Sequence, residues 1–136
     1  MTNHELVDAH RPWAGLIGYS RAVRIGNIIE VGGTTATLED GTVVAPGDAY
    51  AQAMHVFEVV VSAIRQLGGD VVDIIRTRVY FTDIGDWEKV GRAHGHMFGA
   101  VLPASTFVEV SRLLLPDLMI EVEATAIVQE REALNG

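Results

Sequence analysis

Between Pro103 and Val128 the chain reads PASTFVEVSRLLLPDLMIEVEATAIV, two alternating runs joined by a short apolar bend. Strand side chains alternate with period two, so in the second run Ile120, Val122 and Ala124 share one face and Glu121 and Glu123 the other. In the first run Ser105, Phe107, Glu109 and Ser111 oppose Thr106, Val108, Val110 and Arg112. Two such strands belong to a sheet with one buried face and polar groups on the other. If a second subunit closes that other face, Glu109, Glu121 and Glu123 become site candidates, because a partly buried carboxylate needs partners or changes its pKa. A solvated strand face is the plain alternative.

A chain of 136 residues is expected to form a single domain over 1–136. It contains no cysteine, which removes a disulfide framework, a thiolate metal site and a thiol nucleophile together. No run approaches the roughly 20 apolar residues of a membrane span, and the opening MTNHELVDAH lacks the apolar core of a secretion signal. A cytoplasmic protein without membrane contact is the expectation. The formal charge is −8 and the ten Lys and Arg residues are scattered, so nothing resembles a basic stripe for phosphates. Nucleic acid is not an expected partner.

In chain order, an irregular segment extends to Gly18, with Pro12 and Gly15 as breakers. Strands are expected at 19–25 and 28–35 around Gly26-Asn27, a pair suited to a tight hairpin turn. Gly32 and Gly33 lack the spacing of a phosphate loop and predict a bulge or a close backbone approach. Asp48 is placed to cap a helix running to about Leu67, with Ala53, Val56, Phe57, Val60, Ile64 and Leu67 as its core stripe and Gly68 as its stop. Val71 to Thr82 reads as a strand with Arg76, Arg78 and Tyr80 on one face and Ile75, Thr77, Val79 and Phe81 on the other. A second helix is expected from about Asp86 to Phe98. His55 has no second ligand at i+4, and His94 and His96 point about 200° apart on a helix, so no metal site is expected. The element order ββαβαββ predicts an α+β fold with both helices on one face of the sheet. The other face is left uncovered, and its apolar positions, together with Leu113, Leu114, Leu115 and Leu118, are expected to be buried by self-association.

The phrases GYSRAVRIGNIIEVGG, VVDIIRTRVYFTDIGDW, PASTFVEVSRL and IEVEATA, in this order and over nearly the whole chain, resemble the reactive-intermediate deaminase family, also known as YjgF/YER057c/UK114. The resemblance implies a chorismate-mutase-like fold, a homotrimer with small-molecule clefts between subunits, and hydrolysis of reactive enamines and imines without a cofactor. It places a cleft tyrosine at Tyr19, a backbone carbonyl at Gly91, and at Glu121 the carboxylate that positions the attacking water. The family arginine that follows Pro-Ala and grips a substrate carboxylate is replaced here by Ser105. A guanidinium fork gives way to one neutral hydroxyl.

Phe107 and Glu123 complete the expected substrate-binding set, and Arg78 is a candidate to supply the missing charge; an interface salt bridge is the competing role for Arg78. Three function classes stay open. One is a hydrolytic deaminase, or a related water addition, with Glu121 as base and Tyr19 as orienter. The second is a trimer that binds a metabolite without catalysis. The third, endoribonuclease or translation inhibition, conflicts with the acidic charge.

Overall fold

The structure is a computed structural model and describes residues 4–130. Six strands form one sheet: β1 (His4–Val7), β2 (Ala22–Ile25), β3 (Ile28–Thr35), β4 (Ile74–Phe81), β5 (Ala104–Glu109) and β6 (Ile120–Ile127). Their order is β1-β2-β3-β6-β4-β5. Only the pairing of β4 with β5 is parallel; all others are antiparallel. The helices are α1 (Ala14–Ile17), α2 (Ala49–Gln66) and α3 (Trp87–Phe98). Among the described residues no helix is long and apolar enough to cross a membrane.

The α+β architecture, the hairpin and the two long helices match the sequence expectations. Gly26 adopts φ 61° between the paired Ile25 and Ile28, as the two-residue turn requires. Asp48 accepts a hydrogen bond from Ala51 N at 3.0 Å, and Gly68 at φ 87° follows the end of α2. The core lies between the sheet and the two long helices: Phe57, Val60 and Ile64 of α2 and Val90 and Phe98 of α3 are buried with Val79, Phe81, Ile120 and Val122 of the sheet. Burying each of these large side chains contributes about 1.5–3 kcal/mol.

Four expectations need correction. The opening segment is not irregular throughout, because β1 pairs with β2 at the sheet edge and α1 follows it; residues 1–3 lie outside the described residues. The second and fourth strands start later than the alternation suggested, at Ala22 and Ile74. Ile75 does not share the core face with Thr77, because a register shift between Ile74 and Arg76 buries Ile74 and turns Ile75 outward. Finally, the helix-free face offers fewer apolar positions for burial than self-association through it would need, because its middle is filled by the polar groups that the alternation placed there. There Arg76 Nη2 donates to Thr106 Oγ1 at 2.6 Å, Tyr80 Oη donates to Glu123 Oε1, and Thr125 Oγ1 donates to Glu30 Oε1. Leu118 needs no partner for its burial, since it is already buried within the chain, while Leu114 is exposed.

Candidate functional site

Central strand β6 presents Glu121 opposite Thr35 of β3 and Tyr80 of β4, and Glu123 opposite Arg78. The ladder between β3 and β6 slips between Val31 and Thr34, so Gly32 and Gly33 form the expected bulge. Gly33 is also a close approach: a Cβ there would lie 2.3 Å from Glu121 Oε2. Glycine at this position gives the carboxylate its room.

A pocket of about 300 Å3 opens over this point, walled by Trp13 and Ile17, by Tyr19 and Arg21, by Gly33, Thr35 and Thr37, and by Leu114 and Glu121. Trp13 Nε1 donates to Tyr19 Oη at 2.8 Å, which fixes the phenol at the pocket wall. The Glu121 carboxyl is held above its ordinary pKa by burial first and by Glu123 second, while Arg21 pulls the other way. Such a carboxylate is a better proton acceptor than an exposed one at the same pH, provided it is ionised.

Arg21 is 5% exposed. Its Nη1 donates to Gly33 O at 3.1 Å and to Thr34 Oγ1 at 3.2 Å, and its Nη2 donates to Ala9 O at 3.4 Å. Sequence reasoning missed this residue, and it missed Trp13. The only available signal was an arginine interrupting the run YSRAV beside a β-bulge glycine pair.

The remaining expected residues are elsewhere. Ser105 and Phe107 of β5 point to the helix side of the sheet, in register with Thr77 and Val79 of the neighbouring β4. Ser105 Oγ accepts from Thr77 Oγ1 at 2.8 Å, and Thr77 Oγ1 is also 2.7 Å from His94 Nε2. The imidazole is packed edge-on against Phe57, Phe98 and Phe107, and burial lowers its pKa, which favours the neutral ring. Gly91 lies inside α3, where a Cβ would just touch Phe107. In one protomer, then, Tyr19 and Glu121 meet in a pocket while Ser105, Phe107 and Gly91 gather on the opposite side of the sheet. Arg78 stands across from Glu123 but forms no ion pair within 4.0 Å among the described residues. Glu109 does not join Glu121 and Glu123: it lies on the far side, and its Oε1 accepts from Ile84 N at 3.0 Å. Among the described residues no three His, Asp or Glu side chains cluster as a metal site would need.

Comparison with known proteins places this geometry. The family model described as endoribonuclease L-PSP matches residues 9–128. The chain belongs to that family. A solved member of the same YjgF/YER057c/UK114 family from Mycobacterium tuberculosis is 36% identical and superposes with a TM-score of 0.83, covering 93% of this chain and all of that one. The YjgF gene product of E. coli is 29% identical with a TM-score of 0.79, over 92% of this chain and 99% of its own. The 3-aminoacrylate deaminase RutC of Acinetobacter baylyi is 31% identical over 111 residues, 82% of this chain and 87% of that protein. The α+β sheet with its helices on one face is the fold of this family.

Proposed function

We propose that this YjgF-family chain assembles as a homotrimer and hydrolyses small reactive imines or enamines at clefts between its subunits, with Glu121 handling the attacking water and Tyr19 orienting the substrate. The observation that carries this reading is the convergence of Glu121, held above its ordinary pKa, with the Trp13-braced Tyr19 on one pocket over a glycine bulge. RutC, a deaminase by name, supports the reaction class. The opposite placement of Ser105, Phe107 and Gly91 supports the assembly, since only a neighbouring subunit could bring them to a Glu121 pocket.

The reaction needs no redox partner. Water adds to the imine carbon as Glu121 accepts one of its protons, and the former π pair rests on nitrogen, which takes that proton from Glu121 and leaves the carboxylate ionised again. The hydroxyl proton of this adduct then passes through Glu121 to the nitrogen, the C–N bond breaks, the C=O bond forms and ammonia leaves. An enamine enters the same route after a proton shifts to its carbon.

The test is ammonia release from freshly generated imines, carboxylated and neutral. Turnover above the buffer rate, lost in Glu121→Gln, is the expected result. Absence of turnover, together with a metabolite-induced rise in Tm, supports instead a trimer that binds without catalysis. That second reading draws on Ser105, a neutral hydroxyl at the position of the family arginine. Ribonuclease action, which the family description names, finds no support in a chain of charge −8 without a basic stripe.

A further inference from the structure

We infer that Arg21 is the specificity-determining residue of the Glu121 pocket, anchoring the anionic group of the substrate from within the same protomer as Glu121. This rests on the reading of that pocket as the reaction site, but the observations behind it are separate. A buried guanidinium ordinarily has a carboxylate partner, because an uncompensated buried charge is costly. Arg21 has none within 4.0 Å among the described residues; its hydrogen-bond partners there are two backbone carbonyls and a threonine hydroxyl.

Its neighbour increases the imbalance. Arg11 also bonds only to neutral acceptors: Nε to Thr37 Oγ1 at 2.9 Å, Nη2 to Thr37 O at 2.7 Å, and Nη1 to Ala9 O at 3.2 Å and His10 O at 2.9 Å. Both guanidinium groups therefore converge on Ala9 O. The two arginines form a local positive centre in a chain of charge −8.

Guanidinium chemistry says what would complete this centre. Nη1 and Nη2 of Arg21 already bond to the protein, through Gly33 O and Thr34 Oγ1 and through Ala9 O. Nε–H has no protein acceptor among the described residues. A charge-assisted bond from Nε–H is what a carboxylate oxygen would complete, strengthened by the charge of the whole guanidinium group. Arg21 lines the pocket beside Gly33 and Tyr19, with Glu121 close enough for each charge to act on the other. Arg21 also borders a second pocket, with Arg11, His55 and Glu58, but only the first contains Glu121; a small oxo or imino acid bound there with its carboxylate on Arg21 would share one cavity with that carboxyl group. The charge missing at Ser105 is thus supplied from the other end of the site.

The experiment compares 2-oxobutanoate with 2-oxobutanamide by calorimetry on the intact protein, alongside ammonia release from the corresponding imines. Wild type is expected to bind the acid at least about tenfold tighter, since one charge-assisted hydrogen bond accounts for about a decade. Arg21→Gln should bring the two compounds to equal affinity. If that variant does not fold, Arg21→Lys decides the matter: it keeps the charge, loses the fork, and should retain only part of the preference. Equal wild-type affinity for acid and amide, with neutral imines still turned over, overturns the anchor and leaves the deaminase reading standing. A preference erased by Arg78→Met but kept in Arg21→Lys at full strength also overturns it. No binding of either compound and no ammonia from any imine removes both readings together.

Discussion

At Glu121, burial and the neighbouring Glu123 disfavour the charged form, and Arg21 only partly offsets them, so the folded chain holds this proton to higher pH than the unfolded chain does. The sign of the linkage follows. With the folded pKa above the ordinary value of 4.5, stability is highest below 4.5 and is lost as pH rises through the folded pKa. Glu121→Gln removes the ionisable group, so its Tm should exceed that of wild type at pH 7, and the advantage should fade below pH 4.5. The same variant should lower ammonia release by about 10²–10⁴-fold, the usual worth of general base catalysis. Thermal melts from pH 3 to 8 beside the ammonia assay check both; a Gln variant less stable than wild type at pH 7 contradicts the assignment of the shift to burial. The opposite trends would make Glu121 a carboxylate retained against stability, as reactive groups often are.

At the scale of elements, the bulge between β3 and β6 is what connects the fold to the carboxylate. Gly33→Ala would set a Cβ 2.3 Å from Glu121 Oε2 and 2.9 Å from its Cδ, but both atoms end a flexible side chain that can swing aside. The expected outcome is a Tm within a few degrees of wild type with at least about tenfold lower turnover, as misplaced catalytic groups lose rate steeply. Gly32→Ala meets only Arg21 O and Ser20 O at an ordinary 3.7 Å, and should leave both quantities nearly unchanged. Equal loss of activity in the two variants would point to the bulge backbone rather than to the Glu121 carboxylate. The sequence made this bulge legible through Gly32-Gly33, and made β4, β6 and both long helices legible through their periodicity. It hid β1, because HELV buries none of its side chains and is held by backbone pairing to β2. It hid the turning of Ile75 as well, since a bulge shifts phase without changing composition. Tyr19 and Glu121 could be singled out by resemblance, whereas Arg21 could not: its partners Ala9, Gly33 and Thr34 come together only in the folded chain.

For the whole molecule, the distribution of exposed apolar side chains bears on assembly. Ile17 and Leu114 are exposed and line the Glu121 pocket, and Leu16, next to Ile17 in α1, is 93% exposed. Elsewhere Trp87 and Leu102 are exposed at the two ends of α3, and Val108 is exposed on the helix-free face beside Tyr80. Exposed apolar side chains at different places on one chain favour head-to-tail contacts, and such contacts either close into a ring or grow without limit. A three-membered ring is the closed form that the family resemblance implies. The polar middle of the helix-free face fits this arrangement, because Glu121, Glu123 and Arg78 would then line an enclosed space instead of a greasy seam. Sedimentation equilibrium of wild type at micromolar concentration should report three times the single-chain mass. Leu114→Asp places a charge at the pocket mouth, where burial against a neighbour would be costly, and should shift the population to the single-chain mass. That dissociation should abolish turnover while the far-ultraviolet circular dichroism stays close to wild type, since Leu114 is outside the buried core. A wild-type protein that sediments as a monomer and still releases ammonia would overturn the shared cleft and place the whole reaction within one protomer, on Tyr19, Arg21 and Glu121.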